Sequence, residues 1–361
     1  MALPFQPFST KKRTHVVAID LGSRYTKAVS IQRKGAGFEL LNYCLVEAPV
    51  VDRAAPYAKL PEHLKAVMQD LGARTKQVML CVGAGDAVYR VADMPLMPVL
   101  NMRQMLKIPA NAKNYLQQEL VDHVYDCYIL SAGGSAAAAG ASAPEAAKSG
   151  QKAKVLIAAA KRQLVSELQG AAKAAGLVLE AICPGALGAP NAFEVAQPEA
   201  FAKEIVAVID IGFKNTTISI LHKGNLELTR VVGVAGDKLT AGVAESMGVP
   251  YAEGEAMKIA MTEDVQAFMG LLLDSLGKEL RASLDFFENQ HDRPASQAFI
   301  SGGSARSSYI VDTLRSHLLI ETRGWNPLAG MDLSLPPEKM GQVEQLAPQL
   351  AVAVGSAMAA F

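Results

Sequence analysis

Short apolar runs closed by glycine, asparagine or aspartate recur toward both ends of the chain, and their pattern predicts buried strands. Residues 16–20 predict a first strand, 21–25 a tight turn, 26–32 a second strand and, past Gly35 and Gly37, 38–46 a third. A helix is predicted over 61–71, with Pro61 suited to its first turn and Gly72 to its end. Residues 77–82 predict a further strand. The order β-β-β-α-β is that of a ribonuclease-H-like half-domain. It returns in strands at 205–210, 216–222 and 226–232, a turn at 211–215, and a helix over 238–247 ended by Gly248.

The two stretches align at a displacement of 190 positions, the separation of Asp20 and Asp210. VVAIDLGSRYTKAVSI (16–31) and VAVIDIGFKNTTISIL (206–221) share Val16/Val206, Ile19/Ile209, Asp20/Asp210, Gly22/Gly212 and Thr26/Thr216, and Arg24 matches Lys214 in charge. Apolar strands resemble one another by chance, so the shared Asp-x-Gly-x-x-x-Thr carries the weight. It reads as a duplicated half. Further on, Leu273, Leu276, Leu280, Leu284 and Phe287 recur at steps of three and four, a helical core stripe. Phe299 and Ile300 run into Ser301-Gly302-Gly303-Ser304, followed by a predicted helix at 309–319; the apolar end, 347–361, predicts a packed helix.

Between the halves the character changes. Residues 94–108 are rich in Met and Pro, 111–120 predict a helix, and 131–154 are mostly Ala, Gly, Ser and Lys without periodicity. That stretch predicts a mobile loop. A strand at 155–160 and a helix at 164–175 closed by Gly176 follow. The expected organisation is a flexible tail at 1–13, then a first half made of 14–81, 183–204 and the terminal helix 347–361. A subdomain at 82–182 interrupts that half. The second half spans 205–346, with a helical subdomain at about 238–290. Met94, Met97, Met102 and Met105 lie in the inserted block. They suit its core better than an adaptable binding surface, although Met serves both.

Composition narrows the function classes. Half the residues are hydrophobic and 19% charged, enough to bury a core. Lys plus Arg and Asp plus Glu are both 35, which argues against a polybasic nucleic-acid binder and a charge-driven membrane binder. Residues 1–14 lack the apolar core of a signal peptide. No run reaches the roughly 18 apolar residues of a membrane span. Cys44, Cys81, Cys127 and Cys183 form no C-x-x-C pair and suit a reducing cytoplasm. The six histidines show no metal-ligand spacing.

The duplicated turns carry the candidate chemistry. Gly22 and Gly212 let the backbone fold tightly enough for N–H groups to point at an anion. Asp20 and Asp210 end their strands, and a pair of carboxylates facing one cleft suits the water shell of Mg²⁺. Ser23, Lys27, Lys214, Asn215 and Thr216 add donors for phosphate oxygens, and Gly302-Gly303 permits close approach of a flat ligand such as adenine. The three loops together predict a cleft for a Mg-nucleotide between two similar halves.

DLGSRYTK (20–27), DIGFKNTT (210–217) and SGGSA (301–305) resemble the two phosphate motifs and the adenosine motif of the actin-like ATPases. GVAGDKLT (233–240), EAMK (255–258), ELRASLDFF (279–287), WNPL (325–328) and APQLAVAVGSAM (347–358) resemble the PilM branch, cytoplasmic actin-like proteins of type IV pilus assembly. The likeness runs over nearly the whole chain. It implies an α/β actin-like ATPase fold, two ribonuclease-H-like halves around a nucleotide cleft with a subdomain inserted in the first. It also implies ATP and Mg²⁺ as cofactors. Asp20, Gly22, Ser23 and Lys27 would line the phosphate and Mg²⁺ side, and Asp210, Gly212, Asn215 and Thr216 would close it. Asp20 and Asp210 would hold the ion through water. Gly302, Gly303 and Ser304 would meet the adenosine, and Glu255 and Lys258 the ribose or base, their i, i+3 spacing placing both on one helix face.

The resemblance further implies a peripheral place at the inner membrane, held by the cytoplasmic N-terminal tail of a single-span PilN-like protein. Self-association and contacts with other pilus platform proteins are compatible with it. Where active relatives carry a polar residue that orients the attacking water, this chain reads Cys183-Pro184-Gly185-Ala186, and Arg24, Phe213 and Lys214 crowd the turns. Nucleotide binding is therefore expected more than turnover. Two alternatives share the superfamily. An FtsA-like division filament protein would end in a basic amphipathic helix, but no Lys or Arg follows Lys339. A small-molecule kinase would need a catalytic base, and none stands out.

Overall fold

A computed structural model of the chain describes residues 13–50, 55–132 and 151–361. It divides into two compact units. The first comprises residues 1–191, 331–335 and 352–361, the second 192–330 and 336–351.

The first unit opens with β1 (His15–Leu21), β2 (Tyr25–Lys34) and β3 (Gly37–Glu47), an antiparallel meander. Then come α1 (Leu60–Leu71), which ends at Gly72 in the left-handed region, and β4 (Gln77–Val82), which adds parallel to β1. β5 (Ala87–Pro95), α2 (Val99–Leu106), α3 (Pro109–Leu116), β6 (His123–Ala132) and β7 (Lys152–Lys161) form the inserted block, a separate antiparallel sheet in the order β5-β7-β6. The chain returns through α4 (Arg162–Ala174) to β8 (Val178–Pro184) beside β4. Apolar faces of β1, β2 and β4 are fully covered, as expected of a central sheet.

α5 (Gly188–Ala196) leads into the second unit. There α6 (Pro198–Lys203), β9 (Ile205–Ile211), β10 (Thr216–His222) and β11 (Asn225–Val232) repeat the meander. Three helices follow, α7 (Gly236–Met247), α8 (Tyr251–Ala260) and the long α9 (Glu263–His291). β12 (Gln297–Ser301), α10 (Ser308–Leu318) and β13 (Glu321–Gly324) complete a sheet in the order β11-β10-β9-β12-β13. The predicted stripe of α9 is buried throughout and packs with Ile209, Ile218 and Ile300 of the sheet and Leu314 of α10. β14 (Asp332–Leu333) then joins β3 in the first unit's sheet. α11 (Pro337–Met340) and α12 (Val343–Leu346) precede a 3₁₀ turn at Ala347–Leu350 and α13 (Ala351–Met358).

Several expectations needed correction. The helix expected over 111–120 runs instead over Pro109–Leu116, because Gln117 adopts a left-handed backbone that stops it. The unpatterned stretch 131–154 begins and ends in strand, since Ser131 and Ala132 belong to β6 and Lys152–Lys154 to β7; residues 133–150 lie outside the described residues, as does the tail at 1–12. Cross-strand pairing carries the ladder through residues with no hydrophobic alternation of their own. The methionines of the insert are core. Met94 and Met102 are fully buried, and Met97 and Met105 pack against their cluster.

Two features of the packing yield predictions. Where α7 meets α8, a Cβ on Gly254 would lie 2.7 Å from the Ala244 Cβ and 2.9 Å from its Cα. Gly254→Val is expected to destabilise the protein by about 1–3 kcal/mol. Gly170, inside α4, has nothing within 4 Å of that position, so Gly170→Ala is expected to stabilise by up to about 1 kcal/mol. Urea denaturation of both variants against the parent checks the pair. In the inserted block, burial pushes the Asp126 carboxyl up to about 6, and the Arg103 guanidinium, 2.6 Å away, does not offset it. The native state therefore keeps a proton that the unfolded chain releases, and stability falls as pH rises from about 4 to about 6. Thermal melting across that window should show this loss in the parent, about 3 kcal/mol at most, relative to Asp126→Asn.

Candidate functional site

In the first unit the candidate turn joins β1 to β2. Asp20 and Lys27 face each other in the ladder, and the Lys27 ammonium donates to Asp20 Oδ2 at 2.7 Å. Asp20 is 5% exposed. A Cβ on Gly22 would sit 2.5 Å from the Tyr25 carbonyl oxygen and 2.6 Å from Lys27 Nζ, so only glycine fits here. Ser23 is exposed at the tip of the turn. One strand over, Cys81 pairs with Asp20 in register, and burial holds its thiol well above the usual value. Beneath the turn, His63 Nε2 meets the buried Thr26 hydroxyl at 2.7 Å.

The second unit holds the copy. Leu21 pairs with Thr26 in the first hairpin and Ile211 with Thr216 in the second, so the register is the same at the same displacement. The Gly212 N–H donates to the Asn215 carbonyl at 3.1 Å, and a Cβ on Gly212 would approach that oxygen to 2.8 Å. The Thr216 hydroxyl is fully buried and donates to the Val234 carbonyl at 2.7 Å, which makes it a structural strut of the turn. Asp210 accepts from the Ser301 hydroxyl at 2.9 Å. Gly302 follows with φ of 94°, and a Cβ there would meet Ile211 O at 2.3 Å. The adenosine-type loop is thus pressed against the end of β9.

Around this turn the second unit gathers a polar network. The N–H groups of Gly236 and Asp237, at the start of α7, donate to the carbonyls of Gly212 and Phe213 at 3.1 and 2.8 Å. On α8, Glu255 and Lys258 form a 2.8 Å ion pair with side chains only 11% and 10% exposed. Lys258 also donates to Thr240 Oγ1 at 2.7 Å and to Gly236 O at 3.2 Å, and the Thr240 hydroxyl lies against the Glu255 carboxylate. A Cβ on Gly236 would stand 3.5 Å from Ser304 Oγ and 3.7 Å from Lys258 Nζ. Gly212, Gly236, Lys258 and Ser304 therefore lie close together, and Gly303 is exposed. Glu255 and Lys258 are thus a largely buried pair and not a pair on the surface.

Sequence reasoning gave no role to Asp237, Thr240 or Tyr251, and named Ser301 only as the first residue of its motif. Asp237 takes Lys214 Nζ at 2.5 Å on one oxygen and the Tyr251 hydroxyl at 2.6 Å on the other. Burial pushes the Asp237 carboxyl up, but those two bonds and the charges of Lys214 and Lys258 outweigh it and hold the group below its ordinary value. Burial and then Asp237 raise the Tyr251 phenol to about 12. The signal was present in GVAGDKLT, which contains Gly236, Asp237 and Thr240 but no residue that announces a role without the fold. Among the described residues no cluster of three or more His, Cys, Asp or Glu could hold a metal ion by direct ligation.

The nearby known structures agree on the architecture. A chain of a PilM-PilN type IV pilus biogenesis complex superposes with a TM-score of 0.81 at 21% identity, covering 97% of this chain and 99% of that one. The ethanolamine utilization protein EutJ from Carboxydothermus hydrogenoformans superposes at 0.51 with 13% identity, covering 97% and 92%. MreB5 of Spiroplasma citri, bound to ADP, superposes at 0.50 with 12% identity, covering 95% and 94%. The fold is the actin-like one. No helix among the described residues is long and apolar enough to cross a membrane. A family model described as type IV pilus assembly protein PilM matches residues 18–361, and the chain belongs to that family.

Proposed function

We propose that this chain is a nucleotide-binding scaffold of a type IV pilus inner-membrane platform, and that it holds the cytoplasmic N-terminal tail of a PilN-like membrane protein. The observation that carries the reading is the family match over residues 18–361, joined to the close approach of Gly212, Gly236, Lys258 and Ser304 in the second unit. Membership supports the machine and the partner class, and the local geometry supports the ligand class. A peripheral place at the inner membrane follows from the partner and needs no span of its own.

The residues present fit a purine nucleotide. Gly302 lets its loop lie against the end of β9, and Ser304 Oγ and Lys258 Nζ stand beside Gly236 as polar groups for a nucleoside. Glu255, oriented by Lys258, offers carboxylate oxygens suited to ribose hydroxyls. In the first unit, Asp20, Gly22, Ser23 and Lys27 form a turn of the same make, and Lys27 is the cation there for phosphate oxygens. Asp20 and Asp210 each stand as single carboxylates in their own turns. That suits Mg²⁺, which keeps most of its waters and needs few direct ligands. Bound Mg-nucleotide would supply a compact negative charge for the turns to hold. The chain's own part is to bind and orient: two glycine turns present backbone N–H groups, and lysines neutralise charge. The stretch at Cys183-Pro184-Gly185-Ala186 is buried and apolar apart from the thiol, and the reading assigns it no hydrolytic role.

Calorimetry of ATP with Mg²⁺ checks the ligand. The parent should bind, and Asp20→Ala and Lys258→Met should each weaken binding at least about tenfold while circular dichroism stays unchanged. No heat from the parent would remove the nucleotide and leave the scaffold. The partner is checked separately, by fluorescence anisotropy with a labelled peptide from the N-terminal tail of the PilN-type protein of the same genome. Saturable binding is expected, and a scrambled peptide of equal charge should not bind; equal binding of both would overturn the partner reading.

A further inference from the structure

The second unit contains a continuous polar chain that nucleotide binding alone does not account for. It starts on the tip of the β9–β10 turn, where the Lys214 ammonium donates to Asp237 Oδ2 at 2.5 Å. The other oxygen of that carboxylate takes the Tyr251 hydroxyl at 2.6 Å. Tyr251 is the first residue of α8 and is also within hydrogen-bonding reach of Thr240. Thr240 in turn touches Glu255 and accepts from Lys258. Six side chains thus link the β9–β10 turn to the buried ion pair of α8, and Asp237 joins the turn's lysine to that helix.

We propose that Lys214, Asp237 and Tyr251 form a relay that reports the terminal phosphate of a nucleoside triphosphate at the β9–β10 turn to helix α8. The inference rests on the nucleotide reading above and adds the regulation of that site. The physical basis is competition for one ammonium group. Lys214 is more than half exposed, so an arriving phosphate can take its donors without a core rearrangement. Asp237 then loses one of its two hydrogen-bonded partners, and its carboxylate is left to Tyr251 and to the field of Lys258. The bond between Asp237 and Tyr251 shortens or re-aims, and the first turn of α8 moves with it. A diphosphate lacks the group that competes for Lys214, so it leaves the joint closed. Binding energy that distinguishes the two ligands at the turn becomes a difference in α8, as any population shift requires. The relay residues position others and do no chemistry.

Hydrogen exchange of the full chain, followed over 251–260, tests the relay with a non-hydrolysable ATP analogue and with ADP, each with Mg²⁺ at saturation. In the parent the two ligands should leave α8 amides exchanging at rates that differ at least about threefold. Tyr251→Phe, Asp237→Asn and Lys214→Met should each erase that difference. Asp237→Asn, which frees Lys214, should also bind the triphosphate analogue about tenfold more tightly, with ADP affinity changed less. If these residues only hold α8 in place, each variant will speed exchange equally in all states and the ligand difference will survive, which overturns the relay. The relay is equally overturned if the parent binds both ligands and α8 does not tell them apart. A parent that binds neither ligand brings down the nucleotide reading and the relay together. Unchanged thermal midpoints exclude loss of fold in the variants.

Discussion

A buried strand with a carboxylate next to its last residue, followed two positions after that carboxylate by a place with no room for a side chain, is the constraint on which the rest of the molecule turns. At Gly22 the obstacle is the Tyr25 carbonyl and at Gly212 the Asn215 carbonyl. Both are backbone oxygens at the foot of the second strand, so neither can give way to a Cβ as a flexible side chain would. The tight return fixes where the second strand begins, and through the register it fixes which residues stand opposite Asp20 and Asp210. In the second unit the same turn offers its carbonyls to the first N–H groups of α7 and leaves the end of β9 bare enough for Gly302 to lie against it. The start of α7 and the loop after β12 are both docked on that turn.

The two copies have kept the backbone and exchanged the chemistry. The residue facing Asp20 across the hairpin is Lys27, and the residue facing Asp210 is Thr217. On the parallel neighbour, Asp20 stands beside Cys81 and Asp210 beside Ser301. The first carboxylate is therefore held by a charge, and the second accepts from a hydroxyl. A charge-assisted bond is the stronger of the two and confers less freedom. In the second copy the cation is at the tip, where Lys214 takes the place of Arg24, exposed and engaged by a carboxylate from another element. Duplication supplied two equivalent frames, and their side chains have become specialised in opposite senses.

The sequence made the sheets legible where apolar alternation coincides with burial on both faces. Strands at 77–82 and 216–222 have the predicted ends, and the stripe from Leu273 to Phe287 marks the buried face of a longer helix. It failed where pairing substitutes for pattern. β5 buries Ala87 and Met94 and leaves its other residues partly or wholly exposed, so it shows no period, and it is a strand because β7 lies beside it. The glycines and acids of the turns were legible because their chemistry is local. Asp237, Thr240 and Tyr251 were not, because each acquires its role only when α7, α8 and the β9–β10 turn are brought together by the core beneath them. Lys214 illustrates the difference. Its charge and place on the turn were evident from sequence, but whether it met a phosphate or a protein carboxylate depended on Asp237, twenty-three residues on and on a different element.

The buried pair of Glu255 and Lys258 obeys a different constraint. Taking two charges from water is costly, and a well-packed apolar pair in their place is often no less stable. Such a pair persists without penalty only where every remaining donor and acceptor is met. Here Thr240 and the Gly236 carbonyl supply the missing partners, and Gly236 can do so because, lacking a side chain, it lets the Lys258 ammonium come close to the start of α7. A glycine that admits an ammonium, a threonine bonded to both charges and a serine at the far side would be a wasteful way to fill a core. They hold two charges on one helix face with their donors and acceptors met, and the nucleotide proposed for α8 rests on that arrangement.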